Sequence, residues 1–146
     1  MKIHVLPKSL AKEFKCDEPW VAISIATIVD DWPELPTTKR VDLLQIYFPD
    51  LDTPDDLFDK SMLFNEMHAR QILDFVKMHK DKTFLIHCEA GRSRSPAVAA
   101  AISKLVMNDD MIWFKNYTPN RWVYRVIMTY ANSIDWKIDQ IAQKAE

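Results

Sequence analysis

The chain has 146 residues, room for one ordinary domain, and its 48% hydrophobic and 27% charged residues are globular rather than disordered or fibrous in proportion. Lys plus Arg number 19 and Asp plus Glu 21, a net charge of -2. That balance disfavours a protein whose main task is to coat nucleic acid or an anionic lipid surface.

In chain order, Ile3 to Leu6 reads as a short strand, and Ser9 can cap a brief helix through Phe14. Trp20 to Thr27 is rich in β-branched residues and closed by Asp30-Asp31-Trp32-Pro33, the pattern of a buried strand. Val41 to Phe48 reads as a further strand ended by Pro49-Asp50, and residues 50–60, with many Asp, a Pro and no apolar period, as a loop. Asn65 can cap a helix whose apolar positions Ala69, Ile72, Leu73 and Val76 recur at i, i+3, i+4 and i+7. Thr83 to His87 is a short apolar strand. Ser95-Pro96 opens an Ala-rich helix, Ala97 to Met107, with Pro at the first helical position. After Pro119-Asn120 a last helix is expected to bury Val123, Val126, Ile127, Tyr130 and Ile134. Strands alternating with amphipathic helices predict one α/β domain over residues 1–146, with helices flanking a central mixed, mostly parallel sheet of four to five strands.

Glycine occurs once in the chain, where an average composition gives about ten. Gly91 should therefore sit where no other residue will do. It lies in Cys88-Glu89-Ala90-Gly91-Arg92-Ser93-Arg94, between a predicted strand and a predicted helix. Unpaired N–H groups at a helix start, with the helix dipole behind them, make a nest for a tetrahedral oxyanion. The glycine lets the backbone turn tightly around it, and the Arg94 fork closes the ring. Cys88 lies at the base of that cup, where dipole, amides and Arg94 should depress its thiol pKa. A thiolate below a captured phosphate is a nucleophile aimed at phosphorus.

His87-Cys88-x-x-Gly91-x-x-Arg94-Ser95 resembles the signature loop of the cysteine-based protein tyrosine phosphatase superfamily, and is most similar to its small dual-specificity branch. The resemblance runs from about Trp20 to Tyr130, and the first strand and short helix look like bacterial and phage-type members. It implies a protein phosphatase acting on phosphotyrosine, and on phosphoserine or phosphothreonine, through a cysteinyl-phosphate. Residues Glu89, Ala90, Gly91, Arg92, Ser93 and Arg94 would cradle the phosphate. Ser95, otherwise a helix cap, would hydrogen-bond the sulfur and help it leave. His87 would be the buried histidine that orients the loop.

The resemblance also implies a general acid on the loop after a strand, in the form aromatic-x-Asp. Tyr47-Phe48-Pro49-Asp50 fits, so Asp50 is the expected acid, with Asp52, Asp55 and Asp56 as alternatives. Asn120 either supports the signature loop, as a similar pair does in dual-specificity relatives, or caps the last helix. Arg92 either draws highly charged substrates or is merely exposed, and Trp113-Phe114 reads as core and rim packing.

His4, His68, His79 and His87 show no paired ligand spacing and no Walker-type lysine follows a Gly-rich loop, so no metal or other cofactor is expected. The partner expected is a phosphorylated protein or peptide, with nucleic acid and membrane disfavoured and the chain a monomer. Phosphoinositides, RNA 5′ phosphates and phosphopeptide binding without turnover are the alternatives. Two cysteines cannot form a disulfide scaffold, and Cys16 reads as a plain thiol unless it approaches Cys88 as a redox partner. Met1 to Leu6 stops at Pro7, too short for a secretory apolar stretch, so a cytoplasmic location is expected.

Overall fold

Trp20–Ala26 carries no charge and forms a strand buried along its whole length, as does Thr83–Cys88. A strand covered on both faces belongs in the middle of a parallel sheet. The computed structural model of the protein describes residues 1–52 and 62–138. Among these the elements run β1 (Lys2–Pro7), α1 (Lys8–Ala11), β2 (Trp20–Ala26), β3 (Arg40–Tyr47), α2 (Glu66–Met78), β4 (Thr83–Cys88), α3 (Arg94–Met107), α4 (Met111–Asn116) and α5 (Arg121–Ser133).

The sheet has four strands in the order β1-β4-β2-β3, and all three pairings are parallel. The expected mixed character is therefore corrected for the described residues. Its cause is the spacing: the connections 8–19, 27–39 and 48–82 are each long enough to cross back, and none is a hairpin turn. Alternation sorts the side chains of β2 and β4. Val21, Ile23, Ile25, Phe84 and Ile86 join the large core under α2, α3 and α5, whereas Trp20, Ala22 and Leu85 meet Ala11, Phe14 and Leu35 on the other face.

Helix α2 starts at the cap Asn65 and buries Ala69, Ile72, Leu73 and Val76, as their spacing predicts. In α3 the run Ala97 to Ala101 is wholly buried, and side chains this small let the helix lie close to the sheet and to α5. Several expected boundaries are corrected. Helix α3 begins at Arg94, so Pro96 occupies its third position, still within the turn whose N–H groups have no partner inside the helix. Ser9 lies inside α1 after the cap Pro7, and α1 stops at Ala11, leaving Phe14 to pack edge-on against Trp20 at 4.9 Å. Ile134 is the C-cap of α5 and is exposed; Val126 and Tyr130 are only partly buried. Helix α4 was not foreseen, and none of its residues is buried, so no apolar period announces it.

The β1–α1 junction is pressed against the loop that follows β4. Pro7 pairs in register with Cys88, and the Lys8 N–H donates to the Glu89 carbonyl at 3.1 Å. Gly91 has φ +69°, and a Cβ there would stand 2.6 Å from Pro7 N and 2.9 Å from Leu6 C, both backbone atoms. A side chain meets a left-handed conformation and an unyielding wall together. Gly91→Ala should lower unfolding free energy by about 2 kcal/mol or more, read from urea denaturation.

A second tether holds the end of α2 to the sheet: His79 Nε2 lies 2.8 Å from Asp42 Oδ2 on β3. This hydrogen bond, with one from the Leu43 N–H, holds the Asp42 carboxyl below its ordinary pKa. A carboxyl depressed by folding adds stability in full above its unfolded pKa, and loses it as pH falls through the folded value. Asp42→Asn should therefore unfold at lower urea than the parent at pH 6, and the gap should close as pH drops below about 4.

Candidate active site

The site is built where β4, the strand between β1 and β2, runs out at Cys88 and the chain turns into α3. Carboxyl ends of strands in an open parallel sheet are where ligands bind, because helix starts converge there. Three carbonyls of the turn are held from outside. Glu89 O accepts from Lys8 N at 3.1 Å, Arg92 O from Thr118 N at 3.1 Å, and Ser93 O from Asn120 N at 2.9 Å. In a trans peptide the next N–H points the opposite way, so the N–H groups of Ala90, Ser93 and Arg94 turn toward the inside of the loop. Residues 118–120 are thus a rail that keeps the loop's donors inward.

Cys88 is buried, and its Sγ receives the Gly91 N–H at 3.3 Å and lies 3.1 Å from Ser95 Oγ. Ser95 is not the cap of α3; that position is Ser93, and the Ser95 hydroxyl faces the sulfur instead. His87, also buried, has Nδ1 3.4 Å from the Cys88 carbonyl and Nε2 2.5 Å from Ser24 Oγ. Burial holds its pKa below the ordinary histidine value. A neutral ring donating from Nδ1 and accepting at Nε2 suits an orienting role rather than proton transfer.

Arg94 is 5% exposed. Its Nη1 donates to Thr27 Oγ1 at 3.0 Å and to the Phe48 carbonyl at 2.9 Å, at the ends of β2 and β3, while its buried Nε has no partner among the described residues. Asp50, two residues beyond Phe48, is exposed, and its Oδ1 accepts from both Ser93 Oγ and Asn120 Nδ2 at 2.8 Å. The loop after β3 is thereby bound to the loop after β4. Asp52 is exposed, and Asp55 and Asp56 lie outside the described residues.

Asn120 does both things that its sequence left open. Its Oδ1 caps α5 by accepting from Val123 N at 3.0 Å, its main chain supports Ser93, and its Nδ2 also donates to Leu51 O at 2.9 Å. Glu89, Ala90 and Arg92 are exposed on the rim, and Lys8 Nζ lies 3.7 Å from Asp31 and 3.9 Å from Glu89. Sequence reasoning missed Ser24 and Thr27. Their only signal was that they interrupt an apolar strand, and the partners they serve are 63 and 67 residues away.

Cys16 is a free, half-buried thiol beside the smaller core, and Cys88 is free as well. Trp113 packs on the large core with its Nε1 donating to Ser103 Oγ at 2.8 Å, and Phe114 is largely exposed, edge-on to Tyr124. Among the described residues no group of three or more His, Cys, Asp or Glu side chains is placed to hold a metal ion, and no helix is long and apolar enough to cross a membrane.

No protein-family model matches the sequence, and no curated protein matches it. Solved structures do match. The human tyrosine phosphatase-like serine/threonine/tyrosine-interacting protein superposes with a TM-score of 0.64 at 15% identity, over 92% of this chain and 93% of that one. PTPMT1, crystallised in complex with PI(5)P, superposes with a TM-score of 0.58 at 14% identity, over 92% of each chain. At such identities it is the architecture that is shared: this chain has the α/β fold of these two structures, a tyrosine phosphatase-like protein and PTPMT1.

Proposed function

We propose that the protein is a cysteine-dependent phosphomonoesterase acting on phosphorylated protein or peptide. The observation that carries this reading is the buried Arg94, whose Nε finds no partner among the described residues while its Nη1 is pinned by two neutral oxygens. A buried guanidinium N–H left unpaired is costly, and an oxyanion over Cys88 supplies both the missing acceptor and the missing countercharge.

In the first step the Cys88 thiolate attacks phosphorus, forming an S–P bond as the ester P–O bond breaks. Asp50 delivers its proton to the departing oxygen. Because two donors occupy Oδ1 of Asp50, the proton to be delivered sits on Oδ2. In the second step water attacks the cysteinyl-phosphate, its proton passes to the Asp50 carboxylate, and the Ser95 hydroxyl donates to the sulfur as the S–P bond breaks. Arg94 and the inward amides hold the equatorial oxygens through both steps, an electrostatic arrangement made before the substrate arrives.

The rim favours a singly phosphorylated substrate. Asp50, Asp52 and Glu89 are exposed around the loop and Lys8 already faces Asp31 and Glu89, so Arg92 is the loop's exposed cation. A polyphosphorylated inositol or an RNA 5′ end needs more positive charge than this.

Cys88→Ser should abolish Cys88-dependent hydrolysis of 4-nitrophenyl phosphate while retaining vanadate or phosphate binding by calorimetry. Turnover at the parent's rate in that variant ends the proposal. In Asp50→Ala, kcat for phenyl phosphate should drop about 100-fold or more, with 4-nitrophenyl phosphate, whose leaving group needs little protonation, largely spared. If Asp52→Ala shows that pattern instead, the acid is Asp52. Comparing phosphotyrosine peptide, phosphothreonine peptide, phosphoinositide and triphosphorylated RNA tests the substrate class, and a preference for either of the last two overturns it.

A further inference from the structure

A capping box is ordinarily closed by glutamate or glutamine at the third helical position, whose side chain reaches back to the cap residue's N–H. Helix α2 has His68 there. Its Nδ1 accepts from the Asn65 N–H at 3.0 Å, while Asn65 Oδ1 accepts from Met67 N at 2.9 Å. The cap alone does not call for an imidazole. What an imidazole adds is a second nitrogen on the far edge of a rigid ring.

The ring itself is held on its faces. With Nδ1 accepting, the neutral ring carries its proton on Nε2. The ring also stacks on Phe64 at 5.2 Å and 20° and is tilted against Phe48 at 5.5 Å, while Phe48 and Phe64 meet edge to face at 4.9 Å. One side chain therefore touches both ends of the segment between β3 and α2. That segment carries the two groups the site depends on: the Phe48 carbonyl that holds Arg94, and Asp50 two residues later.

We propose that His68 is a positioning residue for this site: its ring, bonded at Nδ1 to Asn65 and packed against both Phe48 and Phe64, closes the base of the Asp50 loop and sets where Asp50 stands against the loop that follows β4. Its consequence for turnover rests on the phosphatase reading; the tether itself does not. Burial holds the His68 pKa below its ordinary value, and the Tyr47 main chain opposes this in part, so the neutral ring that the bond from Asn65 requires is the form present at neutral pH.

His68→Gln separates the two jobs. Glutamine can still accept from the Asn65 N–H, so the cap survives, but it has no ring to pack against Phe48 and Phe64. We expect the ratio of kcat for phenyl phosphate to kcat for 4-nitrophenyl phosphate to fall about tenfold in this variant, because the acid is misplaced and only the poor leaving group needs it. His68→Ala, which also loses the cap, should unfold at a lower temperature with no larger change in that ratio. A His68→Gln ratio equal to the parent's overturns the proposal and leaves His68 a cap. A long-range proton–nitrogen spectrum of the parent should show the His68 proton on Nε2; a proton on Nδ1 overturns it equally. If the parent hydrolyses neither ester, it is the phosphatase reading that fails. The tether is then judged by that spectrum and by amide exchange at Phe48 and Asp50, which should quicken in His68→Gln; unchanged exchange overturns it.

Discussion

The hydrogen bond from the Gly91 N–H to Cys88 Sγ is the constraint on which the rest is arranged. It requires the chain to reverse within three residues of the strand end, and that reversal needs a positive φ at Gly91 and backbone contact with Leu6 and Pro7. In a chain with a single glycine, the one unhindered residue stands at the position where a Cβ has nowhere to go. The β1–α1 junction is consequently part of the site. Pairing Pro7 with Cys88 sets the register in which the loop can close.

Around this turn, the surrounding elements contribute hydrogen bonds that fix directions. Residues 118–120 hold two loop carbonyls outward, Lys8 holds a third, and the ends of β2 and β3 fix the Arg94 fork. Asn120 joins the Asp50 loop to the start of α5 through one amide, because its two N–H groups and its carbonyl are each committed to a different partner. Loss of that side chain would loosen the start of α5 and the Asp50 loop together. Rigid placement of this kind is what electrostatic stabilisation of a reacting phosphate demands, since donors that had to reorient would return the gain.

What the sequence made legible was local. The helix period of residues 69–76, the buried strands and the loop from Cys88 to Arg94 are written within spans short enough for spacing to express geometry. The start of α3 was misread because Ser95, an ordinary capping residue by type, turns its hydroxyl to the sulfur. Helix α4 was invisible because none of its residues is fully buried. The links that make a site of these pieces join residues far apart: Asp50 to Asn120 across 70 positions, Asp50 to Ser93 across 43, Thr27 to Arg94 across 67. No local pattern encodes such pairs. His68 illustrates the limit, since in the sequence it is only a histidine without paired ligand spacing and the folded chain alone brings its ring against Phe48 and Phe64.

The environment of Arg94 also separates a ligand-binding arginine from a structural one. A guanidinium buried for stability alone is ordinarily neutralised by a carboxylate, because an uncompensated interior charge costs several kcal/mol. Among the described residues Arg94 is bonded to a hydroxyl and a carbonyl, which orient the fork without cancelling its charge. The nearby Asp50 is bonded instead to Ser93 and Asn120, neutral donors that hold it in place without neutralising it. A fold that keeps a buried cation unneutralised beside a cysteine, and a carboxyl within one loop's reach of both, leaves an electrostatic interaction open, and under the proposed function a phosphate completes it.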